Sequence, residues 1–165
     1  MKNSTFFSSM KTKSNCNPFP NCELPECSGI LKTVSLFDPK GKKSNYRLVN
    51  SAENYMAVCR VEDCLIKDGD RCDYLLFDCE AEKAYFIELK GSNLSKAVGQ
   101  IDNTLTNLIN QIYPKFKISA RIVLTRVNTH ALTDTAYKRL EKRVKNLGGT
   151  LKKSSNAFME ESNKN

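Results

Sequence analysis

The chain has 165 residues, 40% hydrophobic and 27% charged, an ordinary globular composition with enough length for one core. Its formal charge of +8 favours a polyanionic partner, because neutralising phosphates drives binding to nucleic acid. No apolar run reaches the ~20 residues of a membrane helix. Met1 to Asn15 lacks a continuous apolar stretch, so no secretory signal is read there and a cytoplasmic location is expected.

Residues 1–28 are rich in Ser, Asn, Lys and Pro and are expected to form an irregular N-terminal arm. The seven cysteines are an odd number, and without a signal segment a full disulfide framework is not expected. Cys16, Cys22 and Cys27 lie in CNPFPNCELPEC, whose spacings match no paired CxxC site. A structural zinc completed by Cys59 or Cys64 is therefore a minor reading. Cys72 and Cys79 read as small buried hydrophobes. An α/β domain is expected over 29–153 and a polar tail over 154–165.

Within that domain, 30–37 alternates as a strand and 46–49 is a short extended piece. Between them lies a turn containing Lys40, Lys42 and Lys43. Ser51, followed by Glu53 and the apolar Tyr55, Met56 and Cys59, predicts a capped helix. Residues 61–67 and 71–78 read as strands around Asp68-Gly69-Asp70, a hairpin signal. Residues 83–90 (KAYFIELK) predict a third strand. Leu94, Val98, Ile101, Leu105, Leu108, Ile109 and Ile112 mark one face of a long helix that Pro114 stops. A β-branched strand over 119–127, a cationic helix over 132–147 and a short strand over 150–153 complete the series. The fold class is α/β, a mixed central sheet flanked by helices.

The chemistry gathers on the predicted meander. Glu88 and Lys90 are alternate residues of one strand and share a face. Asp73, on the preceding strand, can come alongside. Two carboxylates make a hard-oxygen site suited to Mg²⁺, which keeps waters. One such water can attack a phosphodiester, and a neighbouring lysine can orient it and stabilise developing charge. Asp68, Asp70 and Asp78 read as turn residues, Asp102 as solvent-facing, and His130, the one histidine, as surface. Ser92 and Ser95 suggest the cap of the long helix.

The segment DGDRCDYLLFDCEAEKAYFIELKG, followed by a helix carrying Gln100, resembles the core of the PD-(D/E)XK nuclease superfamily. That core has an acid on one strand, (D/E)xK on the next and an αβββαβ frame, restriction-endonuclease-like. The resemblance spans about residues 51–127. It implies Asp73 and Glu88 as metal-binding acids and Lys90 as catalytic lysine. A first-helix Glu is matched by Glu53, with Glu62 as competitor. Gln100 is similar to the glutamine of the RecB-like and Holliday-junction-resolvase-like branches. Cys72 stands where proline often precedes the acid, and Thr104 stands where the RecB-type motif has tyrosine. The implied activity is Mg²⁺-dependent hydrolysis of DNA, with Mn²⁺ as substitute metal, in structure-directed cleavage, repair or defence. RNA is the second candidate substrate, and a homodimer suits so small a member. Lys96, Lys138, Arg139 and Lys142 are the expected nucleic-acid contacts. The rivals are an inactive nucleic-acid-binding or interaction domain on the same fold, and a zinc-bearing adaptor.

Overall fold

The computed structural model describes residues 13–41, 43–126 and 135–162. They form a mixed α/β fold with two sheets and two helices. The larger sheet contains β3 (Met56–Arg60), β4 (Tyr74–Asp78), β5 (Lys83–Lys90), β6 (Lys117–Leu124) and β7 (Gly148–Ser155), in that spatial order. β3, β4 and β5 are an antiparallel meander, whereas β5, β6 and β7 run parallel. Parallel neighbours need long crossovers. Helix α1 (Leu94–Ile112) lies in the first and α2 (Thr135–Asn146) in the second. A smaller sheet holds β1 (Thr33–Phe37), β2 (Asn45–Val49) and β8 (Ala157–Glu161) in the order β1-β2-β8.

The layers follow from the side-chain patterns. Ala57, Leu75, Phe77 and Phe86 point from one face of the large sheet towards Val98, Ile101 and Leu105 of α1 and Leu140 and Val144 of α2. From the opposite face, Val58, Leu76 and Ile87 meet Val34, Leu36, Tyr46 and Leu48 of the small sheet. With both faces covered, central strands carry near-continuous apolar runs. α1 starts at Asn93, whose Oδ1 accepts the Lys96 N–H at 2.9 Å, instead of at either flanking serine.

Four sequence expectations are corrected. The helix expected from Ser51 is a turn followed by β3. Met56, Ala57, Val58 and Cys59 are all fully buried. A short strand covered on both sides carries the same apolar run as a buried helical segment, so periodicity could not separate them. Residues 61–67 are not a strand. Glu62 and Ile66 make one isolated bridge, and Gly69, at φ +83°, turns within a longer connection to β4. The expected polar tail contains β8, which runs parallel to β2 and stacks Phe158 on Tyr46 at 5.8 Å. It is only half-buried, so its sequence lacks a strand's hydrophobic signature; pairing with β2 decides its structure.

The fourth correction concerns the cysteines. Disulfides join Cys16 to Cys79 and Cys22 to Cys64, across sequence separations of 63 and 42. They tie the irregular arm, with its 3-10 turns at Pro20–Cys22 and Pro25–Cys27, against β3 and the helix-facing core. Leu24 N–H also donates to Val58 O at 2.7 Å. Cys79 is thus a bridge partner and not a packed thiol. Cys72 is buried as expected, and Cys27, Cys59 and Cys72 are free thiols.

Gly149 shows how closely β7 approaches β6. A Cβ there would sit 1.9 Å from Ile118 O. No rotamer can relieve a clash with backbone, so Gly149→Ala should push β7 off β6 and cost roughly 3 kcal/mol. An unchanged chemical-denaturation midpoint would contradict this packing.

Candidate active site

The β4–β5 ladder ends at the Tyr74–Ile87 pair, and Asp73 and Glu88 are the residues just beyond it on the two segments. Asp73 N–H donates to Ile87 O at 3.1 Å, and Asp73 Oδ2 accepts the Leu89 N–H at 2.8 Å. Alternation puts Glu88 on the face of Phe86, the helix-covered one. Asp73 is 9% exposed and Glu88 1%. Two carboxyl groups are therefore drawn out of water at one end of the β4–β5 ladder.

Helix α1 holds the approach to Asp73. Cys72 N–H donates to Thr104 Oγ1 at 2.8 Å, and Gln100 Nε2 donates to Arg71 O at 2.8 Å. Asn103 Nδ2 donates to Asp70 O. Thr104, which departs from the expected tyrosine, thus clamps the strand that delivers the acid. Gln100 Oε1 is buried and has no hydrogen-bond partner among the described residues. It is a further hard oxygen at this corner. The Cys72 thiol is pushed well up by burial, and the charges of Glu88 and Asp73 add to the effect.

A second layer lies at the same end of the sheet. Glu62 Oε1 accepts from Lys40 Nζ at 3.1 Å and from Arg71 Nη2 at 3.3 Å. Burial raises the Glu62 carboxyl, but the Lys40 hydrogen bond and the charges of Lys40, Arg71 and Arg60 bring it below its ordinary value. The Lys40 ammonium is raised by its hydrogen bond to Glu62 and by that charge, with a smaller contribution from Asp73. Lys40 comes from the β1–β2 turn, which therefore overhangs this end of the site.

Glu53 does not belong to this group. It is exposed, at φ +54°, just before β3. The Met56–Asp78 and Arg60–Tyr74 pairs put the start of β3 at the opposite end of the sheet from Asp73. Of the two acids named from the sequence, Glu62 is the one that lies near this end of the sheet, paired with Arg71. Lys90 closes β5 in register with Leu124; its side chain lies outside the described part of the structure, as do all atoms of His130. Asp78 is buried at the end of β4, where Asn54 Nδ2 donates to its Oδ1 at 2.7 Å. Burial, the largest influence, raises its carboxyl.

The expected nucleic-acid contacts separate into groups. Lys96 is exposed in the first turn of α1. Arg139 lines a cleft of about 410 Å³ between α1 and α2, beside Ser95, Gly99 and Arg143. Asp102, expected to face solvent, pairs there with Arg143 Nη1 at 2.6 Å. Lys138 and Lys142 line a different cavity, on the β7 side of α2. Sequence reasoning missed Arg71 and Thr104, whose roles come from contacts with distant segments. The lysine-rich turn was the one available hint of Lys40.

Among the described residues, no group of three or more His, Cys, Asp or Glu side chains could hold a metal. The available donors are the buried Asp73 and Glu88 carboxylates and the Gln100 amide oxygen. That set still fits Mg²⁺, which takes hard oxygens and fills its remaining positions with water. Among those residues, no helix is long and apolar enough to cross a membrane. Compared with protein-family models, curated proteins and solved structures, the chain matches none.

Proposed function

We propose that the chain is a divalent-metal-dependent nuclease that hydrolyses DNA phosphodiester bonds on a core of the PD-(D/E)XK type. The observation that carries this reading is the burial of Asp73 and Glu88 together at the end of the β4–β5 ladder, where the Asp73 carboxylate accepts the N–H of Leu89, the residue after Glu88. Neighbouring carboxylates of this kind are hard oxygen donors suited to a divalent cation. β3–β4–β5, α1 and parallel β6 supply the βββαβ part of such a frame.

In this reading Asp73 and Glu88 would hold Mg²⁺ or Mn²⁺, and the bound ion would supply an activated water and a counter-charge for the phosphate. Lys90, two residues after Glu88, orients the attacking water and stabilises charge on the phosphoryl oxygens. Gln100 and Thr104 position the strand bearing Asp73. Glu62, Arg71 and Lys40 form the rim, where the two cations can meet the phosphates flanking the cut.

The test is cleavage of plasmid and branched DNA in Mg²⁺ or Mn²⁺. Wild type should cut, and Lys90→Ala should cut at least ~10²-fold more slowly, the usual loss for a transition-state charge stabiliser. Equal rates for wild type, Glu88→Ala and Lys90→Ala would remove the assignment. Tight binding without cleavage by wild type would favour an inactive nucleic-acid-binding domain.

A further inference from the structure

Helix α2 carries Lys138, Arg139, Lys142, Arg143 and Lys145 against a single acid, Glu141. At 100° per residue the cations divide into two stripes. Arg139 and Arg143 turn towards α1, and Arg143 is held by Asp102. Lys138, Lys142 and Lys145 share the other stripe. With Lys152 of β7 they line a groove of about 700 Å³, floored by Gly149, Thr150 and Leu151.

All four lysines are exposed, and none makes an ion pair among the described residues. Glu141 is the one carboxylate on the groove. Like charges four apart on a helix repel, so this alignment costs the isolated chain stability. β7 borders the sheet, and an edge lysine blocks unwanted strand pairing. That accounts for Lys152 but not for three lysines in a row on the neighbouring helix. From Lys138 to Lys145 the helix rises about 10 Å. This matches roughly three steps of ~3.4 Å along one strand of a duplex.

We propose that the α2–β7 groove is a phosphate-backbone track that holds nucleic acid apart from the metal site. The preference for nucleic acid over other polyanions rests on the nuclease reading; the anion groove does not. Binding by the track needs no divalent metal, so it is measured in EDTA, where failure of the catalytic assignment changes nothing.

The probe is a labelled duplex followed by fluorescence anisotropy across a salt series. The full chain is compared with a Lys138→Gln/Lys142→Gln/Lys145→Gln variant and with a control of equal charge loss, Lys32→Gln/Lys67→Gln/Lys115→Gln. Glutamine retains helix propensity, and circular dichroism verifies folding of each protein. The track variant should bind at least ~10-fold more weakly at moderate salt, with a log–log salt slope shallower by about 2–3, since each lost phosphate contact removes ~0.9. The control should lose less on both measures. Equal affinity and slope for the two variants would overturn the track. Tighter binding of wild type to polyglutamate than to the duplex would also overturn it, in favour of an acidic protein partner. Loss of the track with no cleavage by wild type would sink the nuclease reading alone.

Discussion

A Glu88→Gln variant is expected to lose metal-dependent cleavage by roughly 10³-fold, the upper range for removing one preorganised electrostatic group. It should also lose the stabilisation that metal confers on wild type. Glutamine nearly preserves the volume of a residue that is 1% exposed, so the substitution tests charge and not packing. The metal response is the cleaner readout because it needs no substrate. A cation that binds only the folded state stabilises by RT ln(1 + [M]/Kd), about 2.7 kcal/mol at a hundredfold excess over Kd. For a chain of this size that is a rise of roughly 5–11 °C in Tm. With Asp73 as the one carboxylate left of the proposed metal-holding pair, the variant should show little response to Mg²⁺ or Mn²⁺ at the same concentration. An equal thermal shift in both proteins would place the cation elsewhere.

Loss of the disulfides should produce the largest stability change. Cys16–Cys79 and Cys22–Cys64 close loops with sequence separations of 63 and 42. Loop-closure entropy assigns each about 4 kcal/mol through the unfolded state. Replacing Cys22 and Cys64 with serine should therefore lower Tm by roughly 8–16 °C, and a dithiol reductant should act similarly on wild type. An unchanged melting curve under full reduction would show that the arm is held by packing instead. The consequence reaches the site, because Cys64 lies two residues after Glu62 in the connection from β3 to β4. Val61 N–H in that connection donates to Asp73 O at 3.1 Å. Disulfides persist in oxidising compartments. In the cytoplasmic setting expected from the sequence, a reducing pool would release this tether and loosen the Glu62–Arg71 rim.

Several elements were legible in the chain alone because their signals are local. The three- and four-residue spacing of Leu94 to Ile112 specifies α1, and the apolar run ending in Glu-Leu-Lys specifies β5. Glu88 could be chosen from its own strand. Asp73 could be named, but its approach to β5 depends on where the β4–β5 ladder ends and on its bonds to Ile87 and Leu89, which the sequence does not display. Only tertiary structure decided the rest. β3 resembles a helix start until sheets and helices cover both its faces. β8 is a polar segment until β2 pairs with it. Glu62 and not Glu53 lies at the Asp73 end of the sheet because the course of the chain after β3, and not periodicity, determines which acid reaches that end.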